Sequence, residues 1–182
     1  PISRTRDGAS RLSGQLRDLG ADVLEIPSIK IVPPGSNGPI VEAVTGIGSY
    51  DWIVFTSPNG VEQFFDYFFK AFRDVRDLGC VRFAAVGPAT AKKLGELHLN
   101  IDLMPEVYTA EATAKALLDH QNVENISVLL ARAEEANSEL PRMLEDRGAI
   151  VDDVAFYKTI PETEDRNGAA EDFEENDEDW RT

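Results

Sequence analysis

The chain has 182 residues, 42% of them hydrophobic, and a net charge of −15, a composition that is sufficient for one or two domains with a buried core. It contains no apolar run long enough to span a membrane, no signal-peptide pattern at its start and one cysteine, which together disfavour a membrane protein, a secreted protein and an internal disulfide. We therefore expect a cytoplasmic protein, and since the sequence has no basic stripe we expect no nucleic-acid partner.

Strand-like and helix-like segments alternate along the chain. The predicted elements, in chain order, are an extended segment at 22–32, a strand at 52–56, a helix through 61–68, a strand at 82–86, a helix through 91–97, a short strand at 101–104, a helix from 109 or 110 to 118, a strand at 126–131, a helix at 138–147 and an extended segment at 151–160. This alternation predicts an α/β fold in which helices cover both faces of a parallel sheet. Beyond it, residues 161–182 carry ten acidic and two basic side chains, which is typical of a solvated extension.

Two stretches of the chain repeat each other at a constant offset of 128 residues. The residues that recur at this offset are Arg4, Ser10, Leu12, Leu16, Asp18, Gly20, Ala21, Val23, Lys30, Pro33, Asp51 and Trp52. A repeat of this kind indicates a duplicated structural unit. The first copy begins near the end of its first strand and the second stops where a strand should begin, so we expect a fold that is truncated at both ends.

The repeat predicts two lobes, each a parallel sheet flanked by helices, joined by a two-stranded connector. Residues 33–159 are expected to form a complete second lobe, and residues 1–32 with 160–182 an incomplete first lobe. The segments Glu25–Pro34 and Asp153–Glu162 are equivalent by the repeat, and we expect them to pair as the connector. Gly148 follows the helix at 138–147, where a left-handed residue commonly ends a helix.

Small hydrogen-bonding residues follow three of the predicted strands, in the segments 55–60, 86–91 and 131–134. In parallel α/β sheets, ligands collect at the carboxyl ends of the strands. Backbone N–H groups and the positive ends of helix dipoles attract anions there. The same residue types also cap helices without binding anything. The pattern is therefore compatible with an anion site or with capping alone.

Cofactor and metal motifs give no support to a redox or nucleotide-dependent enzyme. Neither a dinucleotide-binding nor a P-loop glycine pattern is present, and His98 and His120 have no partners at metal-ligand spacing, so we expect neither a cofactor nor a metal. Cys80 is expected to be a small buried residue.

Tyr157 interrupts the repeat, because Ile29 stands at the equivalent position, whereas the neighbouring Lys158 matches Lys30. A phenol that faces a cleft can donate a proton or a hydrogen bond to a ligand. The alternative is an aromatic side chain that packs the hinge.

Several blocks of the chain resemble uroporphyrinogen-III synthases. The blocks are DWIVFTSPNGV at 51–61, AVGPATA at 85–91, PEVYTAE at 105–111 and the segment from Leu129 to Lys158, with AFYKT at 155–159, and the similarity runs from about Arg4 to Pro161. The family fold is two α/β lobes joined by a two-stranded connector, with the active site in the cleft. The resemblance implies conversion of the linear tetrapyrrole hydroxymethylbilane to uroporphyrinogen III, with loss of water and inversion of ring D, in heme biosynthesis.

The resemblance also implies partners and residue roles. It implies a small-molecule substrate, a monomer, and fusion to a tetrapyrrole methyltransferase in the full gene product. Tyr157 matches the tyrosine proposed as general acid for loss of the hydroxyl. The polycarboxylate substrate is expected to be bound by Arg4, Thr56, Ser57, Pro58, Asn59, Thr90, Ala91, Arg132 and Lys158.

Two other functions remain open at the level of the sequence. The first is a non-catalytic ligand-binding or interaction module derived from the same fold, since a chain truncated at both ends is expected to have little activity alone. The second is a two-lobed small-molecule sensor, which conflicts with the missing signal peptide.

Overall fold

The computed structural model describes residues 2–4, 13–23, 25–27 and 29–161, with only the backbone at 2–4 and 25–27. The strands are β1 (Ile2–Arg4), β2 (Glu25–Pro27), β3 (Ile29–Val32), β4 (Trp52–Phe55), β5 (Arg82–Ala85), β6 (Ser127–Ala133) and β7 (Ile150–Pro161). The helices are α1 (13–18), α2 (Gly38–Thr45), α3 (Pro58–Ala71), α4 (Pro88–Glu96), α5 (Ala110–His120) and α6 (Glu139–Glu145), with 3₁₀ turns at Ile47–Ser49 and Val75–Leu78. The acidic stretch after residue 161 lies outside the described residues.

The main sheet has five strands in the order β3-β7-β6-β4-β5. Strand β4 pairs in parallel with β5 and β6, and β6 pairs in parallel with β7. Strands β3 and β7, which lie in the two segments expected to pair as a connector, are neighbours in this order. The predicted α/β fold with a parallel sheet is therefore confirmed. None of the helices in the described ranges is long and apolar enough to cross a bilayer.

The chain divides by compactness into two units. One consists of Pro1–Val32 with Thr159–Thr182, and the other of Pro33–Lys158. The second unit contains β4, β5, β6 and most of β7, together with all the helices from α2 to α6.

Both faces of the sheet in the second unit are buried by helices, as continuous apolar strands predict. On one face, Phe55 packs against Phe64 and Phe65 of α3. On the other face, Trp52 and Val54 belong to a core that includes apolar residues of α5 and α6. Because side chains alternate along a strand, β4 contributes to both cores and is fully buried.

The repeat predicted from the sequence is confirmed by strand register. Strand β1 pairs in parallel with β2, and Arg4 lies opposite Pro27. Strand β6 pairs in parallel with β7, and Arg132 lies opposite Ala155. These partners differ by the same offset that relates the repeated residues, so the two copies share one strand pairing.

The turn that follows the repeated helix is also duplicated. Gly20 and Gly148 have φ angles of 83° and 85°, in the left-handed region that glycine adopts without strain. In each copy, the N–H group of the next residue donates to the carbonyl five residues earlier, at 3.0 and 3.1 Å. The expected capping role of Gly148 is therefore confirmed, and Gly20 has the same role.

The short strand predicted at 101–104 is not formed. Only Leu103 makes a bridge, which is parallel to Ala84 of β5. The carboxylate of Asp102 accepts the N–H of Phe83 at 2.8 Å, so a side chain replaces one of the ladder bonds that a sixth strand would make. Pro105, which has no N–H to donate, follows directly.

The prediction that Cys80 is buried is wrong. Its side chain is exposed. Cys80 lies in the turn between the 3₁₀ turn Val75–Leu78 and β5, where Gly79 adopts a φ angle of 69°. Strand β5 is at the end of the strand order, so the residues that enter it lie at the rim of the sheet.

Candidate functional site

A cavity of about 220 Å³ lies at the carboxyl ends of the central strands. Its lining consists of Thr56, Val86, Tyr108, Thr109, Ala110, Thr113, Arg132, Ala136, Asn137 and Leu140. Two predicted site residues, Thr56 after β4 and Arg132 in β6, therefore meet in one cavity, together with the start of α5 and the segment before α6. Sequence reasoning placed a ligand site at this edge of the sheet, where parallel strands end and helices begin.

The start of α5 favours negative charge. Thr109 caps the helix, and its side-chain oxygen accepts the N–H of Ala112 at 3.2 Å. The pKa of the neighbouring Glu111 carboxyl is lowered, first by a hydrogen bond from its own backbone N–H and then by one from the Thr109 side chain. The amide groups at this helix end therefore stabilise a carboxylate.

The residues of this cavity that sequence reasoning missed are Tyr108, Thr109, Thr113 and Asn137. Tyr108 is about half exposed and its ring lies over Gly87, where an added Cβ would be 3.6 Å from the nearest ring atom. Gly87 also has a φ angle of 100°, which glycine adopts without strain because it has no Cβ atom. The turn that starts α4 therefore requires glycine at this position. The block at 105–111 was a signal for Tyr108 and Thr109, although it did not indicate which strand end they would approach, and no sequence signal pointed to Thr113 or Asn137.

Tyr157 and Ser57 form a hydrogen-bonded pair on the sheet face covered by α3. The Tyr157 Oη atom lies 2.8 Å from the Ser57 Oγ atom, and either can be the donor. The Tyr157 side chain is only 6% exposed. Ser57 is the N-cap of α3 and its Oγ atom also accepts the N–H of Gly60 at 3.0 Å. The structure therefore joins the predicted catalytic residue to a predicted binding residue.

A β-bulge determines the direction of Tyr157. The register places Arg132 opposite Ala155 but Ala133 opposite Tyr157, so Phe156 is the additional residue on β7. Regular alternation would turn Phe156 and Tyr157 to opposite faces of the sheet. With the bulge, Phe156 packs on Phe64 of α3 while Tyr157 reaches the N-cap of the same helix. Bulges commonly redirect side chains in this way.

Arg132 is held by protein groups. It is 4% exposed, its Nε atom donates to Asp153 at 2.6 Å and its second amino group also contacts that carboxylate. A third donor reaches the carbonyl of Asn137 at 2.6 Å. The guanidinium thus joins β6, β7 and the loop before α6. Its bond to the Asn137 carbonyl holds Asn137 in the lining of the cavity.

The other predicted binding residues with described side chains do not line this cavity. Pro58 and Asn59 begin α3 and are partly buried, and Ala91 is partly buried in α4. Thr90 is 2% exposed and its hydroxyl donates to the carbonyl of Val86 at 3.4 Å. Lys158 forms an ion pair with Glu134 at 3.5 Å, in which both side chains are more than 40% exposed. The side chain of Arg4 lies outside the described residues.

A larger cavity, of about 470 Å³, is acidic. It lies between α2 and β7 and is lined by three carboxylates, from Glu42, Asp152 and Asp153. Tyr50 also lines it and donates to Asp152, and burial together with this bond raises the pKa of Tyr50. An anionic ligand would meet like charge here, so the carboxyl-end cavity is the better candidate. No group of three or more His, Cys, Asp or Glu residues in the described ranges is arranged to hold a metal ion.

Comparison with protein families gives a match to the model of uroporphyrinogen-III synthase HemD over residues 10–182. The chain is 33% identical to a porphyrin biosynthesis protein HemD from Ruminiclostridium josui, with 87% of the chain and 31% of that protein covered. It is 32% identical to a uroporphyrinogen-III synthase from Synechococcus elongatus, with 86% and 59% covered. A putative uroporphyrinogen-III synthase from Methanothermobacter thermautotrophicus is 37% identical, with 89% and 61% covered.

The fold is similar to that of a solved structure. A mutant uroporphyrinogen III synthase from the extremely thermophilic bacterium Thermus thermophilus superposes with a TM-score of 0.62 at 20% sequence identity, with 88% of this chain and 62% of that chain covered. The chain spans from about a third to three fifths of the length of the relatives it matches.

Proposed function

Because the chain belongs to the uroporphyrinogen-III synthase family, we propose that the protein cyclises hydroxymethylbilane to uroporphyrinogen III. Water leaves the hydroxymethyl group on ring A of the substrate and an electrophilic azafulvene remains. The substituted carbon of ring D attacks it and forms a spiro intermediate, which fragments and recloses with ring D inverted. Spontaneous closure gives the type I isomer without inversion, so the enzyme contributes mainly orientation.

The observation that carries this proposal is the position of the Tyr157 phenol. It is a buried hydroxyl group 2.8 Å from the Ser57 Oγ atom, at the carboxyl-end edge of a parallel sheet where ligands of this fold class bind. We assign Tyr157 the role of general acid, which gives its proton to the departing hydroxyl of ring A. A phenol suits this step because its hydroxyl group can donate a proton to a ligand.

Local donors bind the polycarboxylate substrate despite the negative net charge. Repulsion between exposed charges is screened beyond about 8 Å at physiological salt. The start of α5 already stabilises the Glu111 carboxylate, and Thr56, Thr109 and Asn137 bring hydroxyl and amide groups to the same cavity. Lys158 is available as well, since an exposed ion pair such as that with Glu134 contributes no more than about 1 kcal/mol.

We also propose the organisation of the whole protein. Residues 33–159 form the complete second lobe, residues 1–32 with 160–182 belong to the incomplete first lobe, and the protein acts as a cytoplasmic monomer without a cofactor. We also propose fusion to a tetrapyrrole methyltransferase, as the family resemblance implies; the chain covers only 31% of the Ruminiclostridium josui relative, so that relative is long enough to contain further domains.

The test is an isomer assay with freshly prepared hydroxymethylbilane on the gene product that carries this sequence. We expect type III product, and we expect Tyr157→Phe to lower kcat by about 10-fold or more, within the range for loss of a general acid. Tyr67→Phe is the matched control, because its hydroxyl bonds only Asn37, at 2.9 Å, in the described contacts. Unchanged turnover in Tyr157→Phe would contradict the role of the phenol.

The second candidate is a non-catalytic α/β ligand-binding or interaction module derived from the same fold. It is favoured by the fact that Arg132 and Thr90, two predicted binding residues, are buried and hydrogen-bonded to other protein groups. Formation of only the type I isomer, at the spontaneous rate, would decide for this module.

A further inference from the structure

We infer that Ser57 is a positioning residue that acts through Tyr157, an inference that rests on the proposed function. Ser57 directs the phenolic proton toward the substrate and then donates a hydrogen bond to the phenolate that remains after proton transfer. The sequence assigned Ser57 only to carboxylate binding, and its position as a helix cap would explain its presence without any catalytic role.

The hydrogen-bond inventory of the two hydroxyl groups supports this role. A serine hydroxyl has one donor proton and two acceptor lone pairs. The N–H of Gly60 occupies one lone pair of Ser57 Oγ at 3.0 Å, which leaves the serine proton available for Tyr157 Oη at 2.8 Å. When Ser57 donates, the proton of Tyr157 does not lie between the two oxygens and can be given to a ligand.

The surroundings of Tyr157 strengthen the effect of a hydrogen bond from Ser57. Tyr157 is 6% exposed, so solvent has little access to replace a missing hydrogen bond to a phenolate. Ser57 also stands at the N-terminus of α3, a helix of 14 residues, whose dipole stabilises negative charge beside its first turn. Charge that develops on Tyr157 during proton transfer is therefore stabilised by a group that is already in place.

The bond to Tyr157 is more than capping requires. Asp74 also caps a helical turn, and its carboxylate accepts the N–H of Arg76 at 2.9 Å; within the described part of the chain no tyrosine hydroxyl is bonded to it. Ser57 makes the equivalent bond to Gly60 and, in addition, the bond to a residue 100 positions away. This second bond is formed only because the bulge at Phe156 turns Tyr157 toward α3.

The test is a double-mutant cycle with Ser57→Ala, Tyr157→Phe and the combined variant, measured on the gene product that carries this sequence. We expect Ser57→Ala to lower kcat about 10-fold with KM nearly unchanged, because a hydrogen bond to a developing charge is lost. In the Tyr157→Phe background the same change should have almost no effect, since the group on which Ser57 acts is absent. Ser57→Thr keeps a hydroxyl group at this position, so this variant should retain most of the kcat that Ser57→Ala loses.

Two controls separate this role from capping. Ser57→Gly removes the hydroxyl but leaves a residue that helix N-caps accept, so a loss of kcat in a variant that melts near the unmodified protein supports the inference. Asp74→Ala removes a capping side chain elsewhere and should leave kcat unchanged. Equal losses from Ser57→Ala in both tyrosine backgrounds would overturn the inference, as would an unaffected kcat in Ser57→Ala.

Failure of the proposed function would look different. The unmodified protein is assayed first, and absence of type III product overturns the function and this inference together. Type III product with an additive cycle overturns only the role of Ser57.

Discussion

Gly60 sets how closely α3 approaches β6. A Cβ atom at Gly60 would lie 2.7 Å from the carbonyl oxygen of Ala131, a distance that real Cβ atoms essentially never show. Because the obstacle is backbone, it cannot move aside as a side chain would. The N-terminus of α3, which carries Ser57, is therefore seated directly on the sheet.

We expect Gly60→Ala to destabilise the protein by about 1–3 kcal/mol, as overpacking of a close contact does, and to weaken the Ser57–Tyr157 bond. Urea unfolding measures the first effect and kcat the second. Gly95→Ala is the control, because Gly95 lies in α4 with nothing within 4 Å of an added Cβ. It should stabilise the protein slightly through higher helix propensity. Equal stability of the two variants would contradict the close approach.

Arg132 illustrates what residue type alone leaves open. The sequence offered an arginine at the end of a strand, and a carboxylated substrate was a reasonable partner. The tertiary structure places Asp153 of the neighbouring strand, which lies opposite Leu130 in register, against the Arg132 guanidinium. That pairing follows from strand order, which no local pattern around Arg132 encodes.

Among the elements, α3 depends most on aromatic packing. Phe64 is fully buried and contacts Phe55 of β4, Phe65 and Phe68 of its own helix, and Phe156 of β7. Its ring therefore joins the helix to two different strands of the sheet.

Phe64→Ala should destabilise the protein by about 3–5 kcal/mol, because it removes a large buried side chain and leaves a cavity. Phe69→Ala in the same helix is the matched control, since Phe69 is 47% exposed, and should cost much less. Denaturant midpoints of the two variants measure the difference. Similar midpoints would show that the aromatic cluster does not anchor α3.

Strand β7 contains a β-bulge that could not be predicted from the sequence. The apolar residues at 154–157 fit an extended segment, and the strand was predicted almost to its observed ends. Nothing in this pattern indicates that Phe156 is an additional residue, because a bulge is defined against the partner strand. The direction of the Tyr157 side chain can therefore be assigned only from the pairing of β7 with β6.

At the scale of the molecule, Pro33–Lys158 is a compact unit with two buried cores. We expect this segment, produced alone, to fold and to unfold in urea in one cooperative transition. Circular dichroism and tryptophan fluorescence of Trp52, which is fully buried, should change together. Transitions at different urea concentrations, or a broad non-cooperative change, would show that the segment needs the rest of the protein.

The sequence by itself determined the alternation of strands and helices and the duplicated unit, and it predicted a ligand site at the carboxyl-end edge of the sheet. These properties depend on hydrophobic period, on glycine and capping residues, and on a repeat offset, all of which are local or periodic. The repeat is confirmed by strand pairing, because β1 pairs with β2 in the same parallel register as β6 pairs with β7.

Only the tertiary structure decided which residues meet. It brought Thr56, Tyr108 and Asn137 to one cavity, gave Arg132 a carboxylate partner and joined Tyr157 to Ser57. Each of these contacts links segments whose proximity depends on strand order, strand register or a bulge. A side chain's partner is set by the backbone opposite it, and that backbone is specified only when the whole sheet has formed.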